Sequence, residues 1–150
     1  MGYTHYWSTK KRPTKKQWDA IKREVGKLFA TKEAFKTIRY EGNRNTAPIL
    51  NDEFIRFNGR GENAHETFLF TRDITKFEFC KTARKPYDKF VCGVLIVACH
   101  FAPDCFDISS DGCRDDLEWV EALEFLKSVS FEHYEIPATI EKNEKRTMLA

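Results

Sequence analysis

Several sequence patterns that identify a function are missing from this chain of 150 residues. It has no glycine-rich phosphate loop, neither G-x-x-x-x-G-K-[ST] nor G-x-G-x-x-G. It has one H-x-T motif where a phosphoesterase of that type needs two, and no P-C-x-x-C follows its His-Glu pair, as a zinc deaminase would require. The acidic residues around Asp111 lack the spacing of an EF-hand loop. We therefore expect no metal and no cofactor.

Paired cysteines and long apolar runs are also missing. The five cysteines, at 80, 92, 99, 105 and 113, form no C-x-x-C pair, which favours reduced thiols. The longest apolar stretch, Phe90 to Ala102, is too short to span a bilayer, and no secretory signal precedes the first strand. We expect a soluble cytoplasmic protein without a membrane partner, with one domain at 1–135 and a charged, frayed tail at 136–150.

The net charge of +2 hides an uneven distribution. Residues 1–40 carry eleven Lys and Arg against three Asp and Glu, whereas residues 103–126 carry eight acidic residues against one Arg. Such lobes could pair within the fold, steer a ligand or join subunits, so a homo-oligomer stays open. The basic run at 10–16 could touch a phosphate backbone, but the near-neutral total argues against nucleic acid as the main partner.

Hydrophobic periodicity predicts three helices. A capping box of Thr14 and Gln17 precedes apolar residues at helical spacing, which predicts a helix from about 15 to 30. The segment from Pro86 to Phe101 is apolar nearly all round and predicts a central buried helix. A third helix, capped by Asp111 or Asp115, would bury the stripe Leu117, Val120, Leu123 and Leu126.

Alternating segments predict strands at 2–7, 53–58, 65–72, 76–82 and 105–109, with a further short strand at 35–40. The spacing suggests that the strands across 53–82 form an antiparallel meander. We therefore predict an α+β fold, in which an antiparallel sheet of about four to five strands packs against a central apolar helix and two flanking helices.

The most informative segment is residues 79–88 (FCKTARKPYD), where a predicted strand ends and the apolar helix begins. A helix start favours anions, because its backbone N–H groups and its dipole point at them. The candidate ligand-binding residues here are Lys81, Thr82, Arg84, Lys85 and Tyr87. The three cations would hold a phosphate, and the ring of Tyr87 or Trp7 could stack on a base. The alternative is a solvated basic turn in which Asp88 pairs with Arg84 or Lys85.

Three further clusters could line the same pocket. They are His5 with Trp7, Asn58 with His65, and Asp111 in a hydroxyl-rich turn. Each also has a simpler explanation in core packing, hairpin geometry or helix capping. His5 or His65 could instead serve as the general base of a hydrolase, with a cation of the 79–88 segment stabilising charge. Cys80 is the cysteine best placed for catalysis, although packing explains it as well.

Several of these segments, in order, resemble a family of small proteins scattered through bacteriophages, mobile elements and some bacterial genomes. The matching segments are 1–7 (MGYTHYW), 57–59 (FNG), 65–68 (HETF), 80–88 (CKTARKPYD) and 110–112 (SDG). The resemblance spans about residues 1–125 and carries no established activity, so it assigns no catalytic role. It implies a phage or mobile-element setting, in which small proteins often counter host defence and some sequester nucleotide signals.

Residues and resemblance together suggest a protein that captures a small phosphate-bearing, nucleotide-like ligand in the host cytoplasm, as a sponge for a defence signal. Two alternatives stay open. One is a metal-independent phosphodiesterase or other hydrolase that degrades such a signal. The other is a protein-interaction inhibitor of a host effector, acting through the charged lobes.

Overall fold

The computed structural model describes residues 3–42 and 45–141, and within these ranges the fold is α+β, as predicted. The strands are β1 (Thr4–Thr9), β2 (Ile38–Arg39), β3 (Ile49–Leu50), β4 (Phe54–Gly59), β5 (Phe68–Thr71), β6 (Thr75–Lys81) and β7 (Phe106–Ser110). The helices are α1 (Lys15–Phe29), α2 (Lys32–Thr37), α3 (Asp88–Phe101) and α4 (Leu117–Val129), with one short 3-10 turn at Gly61–Asn63. Gly2, predicted to begin the first strand, lies outside the described residues.

The first sheet has three antiparallel strands in the order β6-β1-β7. In this register His5 lies opposite Cys80 and Ser110, and Tyr6 lies opposite Phe79 and Ser109. Because side chains alternate along a strand, His5 and Tyr6 mark opposite faces of the sheet. The His5 face packs against α3 and α4, whereas the Tyr6 face is open to solvent.

The second sheet is centred on β4, which pairs with each of β2, β3 and β5. The predicted meander is therefore wrong, because β6 leaves its neighbour in sequence and pairs with β1 instead. Alternation within a strand predicts which side chains share a face, but it does not identify the partner strand. The joining of β6 to β1 places the segment before α3 beside the N-terminus of the chain.

The predicted first and central helices are confirmed. Thr14 caps α1, and the reciprocal bonds of the capping box with Gln17 are both present. α3 is buried along nearly all of its length, between α1 and α4. The short strand predicted at 35–40 is only partly correct, because residues 38–39 form β2 whereas residues 32–37 form α2. Thr31 caps this helix by accepting a hydrogen bond from the Ala34 N–H.

The stripe predicted for the third helix is also shifted. The residues of α4 that are buried are Trp119, Ala122 and Leu126, whereas Leu117 is 65% exposed. The helix begins later than its acidic cluster suggests, with Asp116 as the N-cap residue. The larger tryptophan ring removes more apolar area from water than Leu117 would, so it sets the rotation of the helix.

The packed part of the chain extends beyond the predicted domain boundary at 135. Ile140 is buried, and the Glu141 carbonyl accepts a hydrogen bond from the Arg114 N–H. The remainder of the predicted tail, 142–150, lies outside the described residues. Within 3–42 and 45–141, no helix has both the length and the apolar character to cross a membrane.

Gly26, in the interior of α1, offers a simple test of the helix. An added Cβ would meet only Leu50 Cδ2 at 3.8 Å, an ordinary contact. Gly26→Ala is expected to raise the free energy of unfolding by about 0.5–1 kcal/mol, because alanine loses less backbone entropy in a helix. Denaturant titration measures this. Gly93→Ala in α3 is the control, since its Cβ would lie 3.2 Å from Leu28 Cδ1 and should gain less. A loss of stability in Gly26→Ala would contradict the prediction.

Candidate functional site

A buried polar network centred on His5 joins three of the sequence clusters. The His5 ring is 0% exposed, and its Nε2 lies 2.6 Å from Asp88 Oδ1 at the start of α3. Its Nδ1 lies 2.8 Å from Ser110 Oγ at the end of β7. Asp88 also accepts a hydrogen bond from the Thr82 hydroxyl. The first strand, the 79–88 segment and the serine turn thus meet at one imidazole.

The hydrogen bonds around Ser110 assign the tautomer of His5. Ser110 Oγ accepts from the Gly112 N–H at 2.9 Å and from Trp119 Nε1 at 3.4 Å. With both acceptor positions engaged, the hydroxyl donates its own proton to His5 Nδ1. Nε2 then carries the ring proton and donates it to Asp88. The imidazole is neutral in this arrangement, with its basic nitrogen facing the serine.

The backbone that carries Thr82 and Asp88 to this network is locally strained. Ala83 and Arg84 have φ values of 51° and 55°, in the left-handed region that residues with a Cβ rarely adopt. Two consecutive residues of this kind turn the chain sharply between β6 and α3. Such conformations persist only where surrounding contacts hold them, and they concentrate at functional sites.

His5, Asp88 and Cys92 also form a potential set of metal ligands, which sequence spacing did not reveal. One ligand atom from each lies within 4.8 Å of the others. However, His5 Nε2 and Asp88 Oδ1 are separated by a hydrogen-bond distance, and the Cys92 thiol donates to Asp88 Oδ1 at 3.3 Å. Burial and the neighbouring Asp88 raise the pKa of Cys92 well above its usual range, so the thiol keeps its proton. The geometry is that of a hydrogen-bonded cluster.

The helix start that sequence analysis assigned to an external anion is occupied by the protein's own groups. Asp88 lies in the first turn of α3 and is 1% exposed. Both amino nitrogens of Arg84 are directed to α4, with Nη1 3.0 Å from each carboxylate oxygen of Glu118. The guanidinium also lies 3.9 Å from the centre of the Tyr3 ring. Arg84 therefore does not pair with Asp88, and its guanidinium is not available to a phosphate. The prediction that Arg84 binds the ligand needs correction.

The two aromatic residues predicted to stack on a base are buried. Tyr87 is 0% exposed and donates its hydroxyl proton to the Glu66 carbonyl at 2.6 Å. Trp7 is 3% exposed and packs between Phe68 and Phe70 in the core. Neither ring offers a face to a ligand, because burying large aromatic surfaces stabilises the fold. Thr82 is buried as well, with its hydroxyl committed to Asp88.

The remaining predicted residues divide between structure and surface. Asn58 fastens the turn after β4 through bonds to the backbone of His65 and to the Thr67 hydroxyl. The His65 side chain is exposed. Asp111 is also exposed and accepts from the Thr4 N–H and the Tyr6 hydroxyl. The hydrogen bonds of Asn58 stabilise this turn and do not reach the His5 network.

Lys81 and Lys85 differ from the rest of the basic segment. Neither has an ion-pair partner within the described ranges. The Lys81 ammonium lies 5.8 Å from the centre of the Phe79 ring. These two side chains are therefore the members of the predicted anion site that stay available to a ligand.

Sequence analysis missed an aromatic row on the open face of the first sheet, formed by Tyr6, Phe77 and Phe79. The rings of Tyr6 and Phe77 are stacked at 5.7 Å, and those of Phe77 and Phe79 are 5.9 Å apart. Phe77 is 61% exposed and Phe79 is 46% exposed. The alternation of phenylalanine with Lys76 and Glu78 signalled a shared face, but not that this face would be the open one.

Cys80 forms no disulfide and does not have the features of a nucleophile. It is 0% exposed, and burial raises the pKa of its thiol to about 12. A reactive cysteine needs the opposite, namely an accessible thiolate. Cys80 is therefore a packing residue. Cys99, near the end of α3, is half-buried.

No known protein-family model, curated protein or solved structure matches the chain. The functional argument therefore rests on the aromatic row, the two free lysines and the His5 network.

Proposed function

We propose that the protein binds a small phosphate-bearing, nucleotide-like ligand on the open face of the first sheet. A base stacks against Phe77 and Phe79, and the phosphate lies beside Lys81. The observation that carries the proposal is the solvent-exposed aromatic row with a cation at its end. The proposal keeps Lys81 from the predicted cationic segment. It replaces Tyr87 and Trp7 with Phe77 and Phe79 as the residues that stack on the base.

Exposure of the aromatic row is unfavourable unless something covers it. Burial of apolar surface stabilises by about 25 cal/mol per Å², so two phenylalanines left largely in water forgo that gain. Adjacent exposed rings mark binding surfaces more often than scattered single residues do. Every nucleobase has a flat π face, and stacking on an aromatic side chain contributes about 1–3 kcal/mol per base.

The charges around the aromatic row give the ligand a direction. On the β7 side, Asp107 is paired with Lys10 at 3.1 Å, and Asp111 is engaged by the Tyr6 hydroxyl. On the β6 side, the ammonium groups of Lys81 and Lys85 form no ion pair within the described ranges, although the Lys81 backbone N–H donates to Glu66 Oε1 at 2.8 Å. An anionic group is therefore favoured at the Lys81 end and disfavoured at the β7 end.

The space on this face suits a planar group. A cavity of about 270 Å³ on this face is bordered by Tyr6, Ser8, Lys76, Phe77 and Asp107. This volume is slightly below the roughly 300–1,000 Å³ typical of small-molecule sites. It accommodates a base against Phe77, while Phe79 and Lys81 lie outside the cavity, farther along β6. The Ser8 hydroxyl provides a hydrogen-bonding group beside the rings.

Phe79→Ala is expected to weaken nucleotide binding by about 10-fold, because it removes one stacking surface. Lys81→Ala is expected to weaken binding of nucleotides but not of the uncharged nucleosides, and its effect should shrink at high salt. Isothermal calorimetry with a panel of linear and cyclic nucleotides, repeated with the matching nucleosides, measures both effects.

Two variants serve as matched controls. Phe35→Ala removes a ring that is 72% exposed on α2, and Lys16→Ala removes an exposed cation of the basic run; both should leave binding unchanged. The proposal fails if no anionic nucleotide gives heat with the wild type, or if Phe35→Ala weakens binding as much as Phe79→Ala. Chromatography of the ligand after incubation separates capture, which returns it intact, from cleavage.

The resemblance to phage and mobile-element proteins suggests a biological role for such a binding protein. A protein that holds a nucleotide signal without degrading it lowers the free concentration of that signal in proportion to its own abundance. We include the sequestration of a host defence signal in the proposal on this ground. Rescue of phage growth by the wild type but not by Phe79→Ala, in cells that produce such a signal, would support it.

A further inference from the structure

We infer that Ser110 is an activated nucleophile, with His5 as its general base and Asp88 as the carboxylate that orients the base. The three residues lie on the core-facing side of the first sheet, opposite the aromatic row. The inference therefore goes beyond the proposed binding function and does not depend on it.

The positions on the imidazole ring carry the inference. Ser110 and Asp88 bind opposite ring nitrogens, at 2.8 and 2.6 Å. This is the arrangement of a nucleophile, a base and an orienting group. The ring is turned over relative to serine proteases, where Nε2 faces the serine, but either nitrogen can accept a proton. Cys92 cannot take the place of Ser110, because it contacts the same nitrogen as Asp88.

Burial separates the roles of the three residues. His5 and Asp88 are at most 1% exposed, whereas Ser110 is partly exposed. A base and carboxylate shielded from water keep a strong, fixed interaction. Ser110 is the last residue of β7 and is followed by the turn at Asp111 and Gly112. A strand end is a position at which a hydroxyl can be presented to solvent.

The groups around Ser110 Oγ favour its deprotonated form. The Gly112 N–H and Trp119 Nε1 both donate to this oxygen. Donors aimed at an oxygen stabilise negative charge that develops on it. Asp88 correspondingly stabilises the imidazolium that forms when His5 takes the proton. The ring itself is held in place by edge contacts with Tyr3 and Trp119, with centroids 5.1 and 5.2 Å away.

The chemical step is attack of Ser110 Oγ on an activated ester carbonyl or phosphoryl centre. The Oγ–H proton passes to His5 Nδ1, a bond forms from Oγ to carbon or phosphorus, and the bond to the leaving group breaks. The leaving group departs with that proton, directly or through water. A second attack, by water, returns the serine and releases the acid. The reaction changes no oxidation state, so it requires no oxidant or reductant.

A small alkyl fluorophosphonate tests the step in the full-length protein. Attack on phosphorus expels fluoride, and the phosphonyl group stays on the serine. Intact mass should increase by one phosphonyl group, and peptide mapping should place it on Ser110. General-base assistance of the usual size predicts labelling about 100-fold faster than at an unassisted serine.

Ser109 supplies the matched control. It is the neighbouring residue, is exposed, and lies on the opposite face of the sheet. Ser110→Ala should abolish labelling, Ser109→Ala should leave it unchanged, and labelling should be lost in denaturant. Absence of labelling in the folded wild type, or labelling at Ser109 or elsewhere at an equal rate, overturns the inference. Because Ser110→Ala does not touch the aromatic row, nucleotide binding by this variant tests the proposed function separately.

Discussion

Asp88→Ala is expected to lower the free energy of unfolding by about 3–5 kcal/mol, because three buried hydrogen-bond donors lose their common acceptor. The carboxylate is 1% exposed and accepts hydrogen bonds from His5 Nε2, the Thr82 hydroxyl and the Cys92 thiol. Alanine leaves these three donors enclosed without an acceptor. Each unsatisfied buried group costs about 1–3 kcal/mol, and the costs do not add fully.

Denaturant titration of the wild type and the variant measures this loss, with Asp107→Ala as the control. The Asp107 side chain is 63% exposed and pairs with Lys10 at the surface, so its removal should cost less than about 1 kcal/mol. Asp88→Asn keeps the shape and one acceptor oxygen, and should fall between the two. If Asp88→Ala does not fold, Asp88→Asn provides the comparison. A cost for Asp88→Asn no larger than that for Asp107→Ala would contradict the account of the network.

The residues of this network were visible in the sequence, but their association was not. His5 and Asp88 are separated by 83 positions, and His5 and Ser110 by 105. They meet because β1 lies between β6 and β7, and this pairing depends on contacts that are distant in sequence. Local patterns predicted α1 and α3 because a cap and a helical period are properties of one segment. No comparable local signal specifies which strands are neighbours.

The start of α3 does favour negative charge, as the helix dipole predicts. That charge is the side chain of Asp88 and not an external ligand. Arg84 likewise found Glu118, a residue 34 positions later on α4. Sequence analysis weighed nearby partners for these groups and could not weigh distant ones. Only Lys81 and Lys85 kept the availability that the pattern suggested.

The aromatic residues were assigned to the wrong sides for a related reason. Trp7 and Tyr87 were candidates for stacking because they lie two positions from His5 and Lys85 in sequence, yet both belong to the core. Phe77 and Phe79 are large apolar residues of the kind that usually lie in the core, yet they face solvent. The difference arises because none of the described helices packs against this face of the first sheet. Exposure of this kind is a property of the assembled sheet.

Glu24→Gln is expected to lower the free energy of unfolding at pH 7 by about 2–3 kcal/mol, since hydrogen bonds to a charged group contribute about 1.5–3 kcal/mol. Glu24 is a buried carboxylate of α1 that holds the segment following α4. It accepts from the Ser130 hydroxyl and, at 2.9 Å, from the Tyr134 hydroxyl, and its other oxygen lies 2.6 Å from the Lys27 ammonium. Glutamine loses the charge and one of the acceptor oxygens.

The effect of Glu24→Gln should depend on pH in a specific direction. Burial raises the pKa of Glu24, but the bonds from Lys27, Ser130 and Tyr134 outweigh burial and lower it to about 2, below the ordinary value of 4.5. Stabilisation by the folded carboxylate is therefore complete above pH 4.5 and is lost as the pH falls toward 2. The difference in unfolding free energy between wild type and variant should be largest at pH 7 and shrink by pH 2.5. Other acid-sensitive groups cancel in this difference, and Glu121→Gln, at an exposed position of α4, should show neither effect. An equal difference at both pH values would mean that Glu24 contributes through packing and not through its charge.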